Sequence, residues 1–124
     1  MSKKHLKIQW LDKPAKHDFA AAESYLSLLF GAATVAGHVK KLRHARMCEF
    51  AAKDLLRAST LSRLGVSNSH VERDREKIIK GEALSPILLV RDSRNARLII
   101  ADGYHRLCAV YSLDEDATIP CRII

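Results

Sequence analysis

Apolar residues at Phe19, Ala22, Leu26, Leu29 and Phe30 keep the three- and four-residue spacing of one helical face. Asp18, just before them, is of the type that caps helices, so the pattern predicts a first helix over about Phe19 to Phe30. Val35, Val39 and Leu42 repeat the spacing and predict a second helix from about Thr34 to His44. "MCEFAAKDLLRAS" starts like a strand and turns helical, without fixing the boundary. In "SNSHVERDREKIIKG", Ser69 and Glu72 have capping-box spacing and Gly81 is a stop, which predicts a helix from about His70 to Lys80. "PILLV" and "RLIIA" read as two short strands of the sheet interior joined by the hairpin-like "RDSRNA". A last helix follows over about Tyr104 to Ser112, burying Leu107, Val110 and Tyr111. After the acidic Asp114, Glu115 and Asp116, the strand "TIPCRII" alternates Ile119, Cys121 and Ile123.

A chain of 124 residues, 48% of them hydrophobic, has the material for a single domain around one core. Twenty-one Lys and Arg against fourteen Asp and Glu give a formal net charge of +7. That balance favours an anionic partner such as a nucleotide, a nucleic acid or an acidic protein, although solubility alone would also account for it. Cys48, Cys108 and Cys121 show no Cys-x-x-Cys spacing, which argues against a disulfide framework and a zinc finger. His44 and Cys48 stand four apart, but two ligands do not make a zinc site, and no metal ligand set is assigned. The N-terminus lacks the apolar stretch of a signal peptide, and no apolar run reaches about eighteen residues. A cytoplasmic protein with no membrane association is therefore expected.

Three basic features remain. Lys40, Lys41, Arg43, His44 and Arg46 cluster around the end of the second helix, either as a solvated face or as a nucleic-acid contact. His70, Arg73 and Lys77 stand at i, i+3 and i+7, which aligns them on one helical stripe. The third is "ADGYHRLCAV", where an apolar strand gives way to a helix. The first N–H groups of a helix have no intrahelical partner and, with the helix dipole, form a ready anion site that suits a phosphate. Gly103 would let the backbone approach such a group, and Asp102 is placed to cap the helix. His105 and Arg106 would add charge-assisted hydrogen bonds of about 1.5–3 kcal/mol each. A turn glycine, a carbonyl-bound histidine and a surface arginine are the alternative reading of the same residues.

"DGYHRLCAVYSLDEDATIPCRI" resembles the closing segment of the ParB/sulfiredoxin superfamily, where a glycine is followed by Cys-His-Arg or Glu-Arg-Arg, an Ala-containing helix and an "IP" or "VP" strand. Upstream, "HVERDREKIIKGEALSPILLV" resembles the family's preceding helix, its glycine and the strand that follows. The resemblance covers about residues 51–124. It implies an α/β (α+β) fold, a small mixed sheet flanked by helices, with residues 1–50 as an extra helical N-terminal region of the same domain. It also implies that His105 and Arg106 contact nucleotide phosphates and that Arg57 faces the reacting group. His70, Arg73 and Lys77 fall on positions that contact ATP in sulfiredoxins.

The departures limit what carries over. Tyr104 replaces the sulfiredoxin cysteine, and a phenol with a pKa near 10 is no substitute nucleophile, which argues against sulfiredoxin activity. Cys108, one turn on, reads as a small core residue. The ParB glutamate at this position is missing too, and, with no helix-turn-helix region in this sequence, sequence-specific partition-site binding is not expected. The expectation is a bacterial-type ParB-like protein that binds ATP or CTP, with Mg²⁺ open, through Arg57, His70, Arg73, Lys77, Asp102, Gly103, Tyr104, His105 and Arg106. The alternatives are a DNA- or partner-binding module using Lys40, Lys41, Arg43 and Arg46, and a phosphotransferase or nucleotide hydrolase on the same pocket with a pocket carboxylate as base; Glu49 and Asp54 are of the right type, but nothing in the sequence places either beside a substrate. Oligomeric state is left open.

Overall fold

The computed structural model describes residues 7–65 and 67–124. Along the chain run α1 (Lys16–Leu26), α2 (Ala32–His44), β1 (Met47–Ala51), α3 (Ala52–Ser59), α4 (Ser69–Ile79), β2 (Ile87–Asp92), β3 (Arg97–Asp102), α5 (Tyr104–Leu113) and β4 (Thr118–Ile123). The four strands form one mixed sheet in the order β1-β4-β2-β3. Strands β1 and β4 are antiparallel, as are β2 and β3, while β4 runs parallel to β2. The short turn between β2 and β3 permits only an antiparallel pair; the path through β3 and α5 is long enough for a parallel crossover.

Helices cover both faces of the sheet, so β2 is buried continuously from Ile87 to Val90 instead of alternating. On one face, Leu55, Val71, Ile78, Leu107 and Val110 from α3, α4 and α5 pack against Leu89, Ile100 and Ile119. On the other, Phe19, Leu26, Val35 and Leu42 from α1 and α2 pack against Leu88, Val90 and Ile99. A mixed sheet flanked by helices is the class expected from the sequence. The N-terminal helices thus supply the second covering layer, and β1 begins at Met47, inside the segment assigned to the extension.

Several boundaries differ from expectation for local reasons. Helix α1 begins at Lys16 with Ala15 as its N-cap, and Asp18 is the third helical residue, reaching back to the N-cap as half of a capping box, instead of the N-cap itself. The carboxylate of Asp18 accepts the Ala15 N–H at 3.2 Å and is 1% exposed. The helix ends at Leu26, where the Ser27 hydroxyl donates to the Glu23 carbonyl at 2.6 Å, so Leu29 is exposed and off the core. Asn68, not Ser69, caps α4, accepting the N–H groups of His70 at 3.0 Å and Val71 at 3.2 Å; Glu72 turns to Arg75 at 3.4 Å. Gly81 does stop α4, at φ +79, with the Glu82 N–H returning to the Lys77 carbonyl at 2.9 Å. Strand β3 is an edge of the sheet, not its interior, yet Leu98, Ile99, Ile100 and Ala101 stay buried because α1 and α3 cover its two faces. Tyr111 is half-buried, with the Arg63 guanidinium 5.4 Å above its ring. Cys108 is a fully buried core residue as read. Cys48 and Cys121 are opposite one another on β1 and β4, free thiols with sulfurs 3.8 Å apart.

Candidate functional site

The junction is built around Gly103, which joins the end of β3 to the start of α5 at φ +115, a backbone state that side chains strain. Space is a second constraint. A Cβ there would fall onto Ile87 Cγ2, and would stand 2.7 Å from Ile87 Cβ and 2.9 Å from an Arg106 Nη atom. Among the described residues no side chain caps α5, so Asp102 does not have the capping role expected of it. The first intrahelical bond runs from the Leu107 N–H to the Gly103 carbonyl at 2.9 Å, which leaves the N–H groups of Tyr104, His105 and Arg106 without intrahelical partners.

Helix α4 packs beside α5 and brings its basic stripe to this point. His70, Arg73, Asp74 and Lys77 share with residues 102–106 a polar cavity of about 180 Å³. The rings of His70 and His105 meet with centroids 4.9 Å apart. Among the described residues, none of His70, Arg73, Lys77 and His105 has a carboxylate within ion-pair distance. Burial pushes the His105 imidazole below its ordinary pKa; His70 and Arg106 push the same way, and Asp74 opposes them. Asp74 is pushed up, because burial outweighs the attraction of Lys77, Arg106, His105 and Arg73. The cavity therefore gathers backbone donors and uncompensated cations around a single carboxyl group of its own outside the Asp102–Arg106 pair.

Arg106 is differently employed. One Nη donates to Asp102 Oδ2 at 2.8 Å and reaches the Pro86 carbonyl at 3.5 Å, while the other lies 3.9 Å from Asp18 Oδ1. Asp18 in turn accepts the Ser85 hydroxyl. Two carboxylates thus enclose one guanidinium, tying α1, on one face of the sheet, to α5 on the other. Burial raises the Asp102 pKa, Arg106 lowers it, and the nearby Asp18 raises it again. The Arg106 side chain braces the junction; its N–H and the cavity wall are what it offers a ligand.

The structure therefore brings together His70, Arg73, Lys77, Asp102, Gly103, Tyr104, His105 and Arg106, and leaves Arg57 out. Arg57 lies on the exposed side of α3, 3.4 Å from Asp54, and lines a separate cavity with Lys53, Thr60 and Tyr111. Asp54 is engaged by that contact, and Glu49 lines another cavity beside Trp10 and Thr118. Asp116 pairs with Lys53 at 2.6 Å. The Tyr104 hydroxyl donates to the Ser62 carbonyl, and burial raises its pKa, which takes it further from phenolate. Asp74 was missed in the sequence, although its i+4 relation to His70 places it on the same side of α4. Lys40, Lys41, Arg43 and Arg46 are exposed on and after α2, on the opposite side of the sheet, and Arg43 lies 4.8 Å over the Phe19 ring.

Comparison with family models, with curated proteins and with solved structures returned no match for this chain. For a magnesium ion the fit is partial: Asp102 is committed to Arg106, and Asp74 is one carboxylate. One carboxylate with phosphate oxygens is an ordinary way to hold Mg²⁺.

Proposed function

We propose that this protein binds a nucleotide by its phosphates, in the manner of a ParB/sulfiredoxin-like domain, at the start of α5. The observation that carries the reading is the meeting of two features legible separately in the sequence. The α4 stripe of His70, Arg73 and Lys77 lines the same cavity as the uncapped α5 N-terminus. Backbone N–H groups of Tyr104 to Arg106 receive one phosphate, with His105 beside them, and Arg73 and Lys77 neutralise the rest of the chain of phosphates. At about 180 Å³ the cavity is smaller than the roughly 300 Å³ at which whole-ligand pockets begin, so it suits phosphate groups while the base and sugar lie outside it. ATP and CTP are both compatible with that division, and a bound Mg²⁺ would be met by Asp74. Turnover of the nucleotide would assign Asp74 as the general base or acid in place of Glu49 and Asp54.

A thermal-shift screen against ATP, ADP, CTP, GTP and inorganic phosphate, with and without Mg²⁺, tests the reading. Arg73→Ala/Lys77→Ala is the informative variant, because among the described residues both side chains are free of ion pairs, unlike Arg106. Loss of two charge-assisted bonds should weaken binding at least about tenfold. No stabilisation of the parent protein at millimolar ligand would overturn the proposal.

One observation favours a nucleic-acid module instead: Lys40, Lys41 and Arg46 are exposed and, among the described residues, unpaired. That reading requires DNA affinity that falls steeply with salt and disappears in a Lys40→Ala/Lys41→Ala/Arg46→Ala variant, while Arg73→Ala/Lys77→Ala leaves it intact.

A further inference from the structure

A second cavity, of about 440 Å³, opens at the other end of β3, where α3 crosses above the β2–β3 turn. Its volume lies in the range of small-molecule sites, roughly 300–1,000 Å³. Five residue steps along β3, from Arg97 to Asp102, separate it from the proposed phosphate cavity by about 17 Å of strand. Phe50, Leu55, Ala58, Leu98 and Ile123 give it an apolar lining, and Phe50 is 40% exposed there.

The charges at its mouth are unequal. Asp92 accepts the Asn95 side-chain amide at 2.8 Å and Arg97 Nε at 3.1 Å, so its carboxylate and Arg97 neutralise one another. Asp54 is 3.4 Å from Arg57. Arg91 is left over: it is exposed, it stands directly across from Leu98 in the β2–β3 register and so on the same face, and it has no acidic partner among the described residues. An apolar cavity with one uncompensated guanidinium at its lip is complementary to a molecule with an apolar body and one negative charge. We propose that this groove binds a small amphiphilic monoanion, an apolar chain or ring bearing one carboxylate, with the apolar body between Phe50, Leu55 and Leu98 and the carboxylate on Arg91. A neutral amphiphile would leave Arg91 unused; a cationic one would meet it as a like charge.

The test is displacement of the fluorescent anion 8-anilinonaphthalene-1-sulfonate by decanoate, decanol and decyltrimethylammonium. Saturable binding is expected, with decanoate at least about tenfold more effective than the other two, the worth of a charge-assisted bond. Arg91→Gln should reduce decanoate to the level of decanol, and Ala58→Trp, filling the cavity from α3, should abolish both. Arg73→Ala/Lys77→Ala should change nothing, which separates this site from the phosphate cavity. Equal displacement by decanoate and decanol, or decanoate binding unchanged in Arg91→Gln, would overturn the proposal. Since Arg91 is exposed, that variant remains decisive even if Ala58→Trp fails to fold.

Discussion

Replacing Asp18 by alanine should be among the most destabilising single changes in the N-terminal region. Its carboxylate is buried and accepts the Ala15 N–H and the Ser85 hydroxyl while facing Arg106 at 3.9 Å. Alanine would leave the Ser85 hydroxyl and the Ala15 N–H competing for fewer acceptors and would halve the negative charge around the guanidinium. Removing one member of a buried charged cluster costs about 3–5 kcal/mol. Because Asp102 remains to hold Arg106 at 2.8 Å, the lower end is expected, about 3 kcal/mol. For a domain of this size that lowers Tm by roughly 10 °C. Asp18→Asn, which keeps an acceptor for Ser85, should lose about half as much, and a chemical-denaturation series would give both values. A Tm within about 2 °C of the parent for Asp18→Ala would refute the claim that this carboxylate holds α1 against the β3–α5 junction.

Gly103→Ala combines a left-handed φ with a Cβ placed on Ile87, and should cost about 3–5 kcal/mol in the same unfolding assay. A loss under about 1 kcal/mol would show that the junction relaxes freely. Asn68→Ala should cost about 1 kcal/mol, and Ser69→Ala much less, because Asn68 accepts the α4 N–H groups. His105 gives a pH signature. Its pKa is lowered in the fold, so its contribution to stability is whole above about pH 6.5 and is lost as pH falls from there to the lowered value. Asp74 and Asp102, raised in the fold, contribute oppositely, with stability gained as pH falls from their raised values towards about 3.9. A bound anion stabilises the imidazolium, so sulfate, doubly charged throughout, should bind more tightly as pH falls from about 7.5 to 5.5. Calorimetry that shows a flat dependence for the parent, or the same slope for His105→Gln, would contradict this.

Much of the fold was legible because its signals are local. The strands "PILLV" and "RLIIA" are bounded by polar turns, Gly81 stops α4 as read, and the start of α5 at Tyr104 follows from the glycine before it. What local signals do not fix is the choice among neighbouring capping residues: Asn68 and Ser69 are both good caps, and only the geometry of the turn selects the first. An aspartate before an apolar helix face is usually the N-cap, but Asp18, within the first turn of α1, reaches back to Ala15. Its burial depends on Ser85 and Arg106, far away in sequence. The same non-local pairing engages the Arg106 side chain with Asp18 and Asp102 and leaves only its backbone N–H for an anion. Arg57 follows from position relative to a family pattern alone, and helix α3 turns it to the side away from the cavity. Asp74, in contrast, was readable from the i+4 spacing that had already aligned its basic neighbours.

The most direct measurement is a titration of the ¹⁵N-labelled protein with pyrophosphate, following backbone amides by NMR. The proposed phosphate site predicts saturable shifts concentrated at the amides of Tyr104, His105 and Arg106 and along α4 from His70 to Lys77, lost in Arg73→Ala/Lys77→Ala. Unshifted amides at the start of α5, with changes instead around Lys40 to Arg46, would contradict it and move the anion-binding surface to α2.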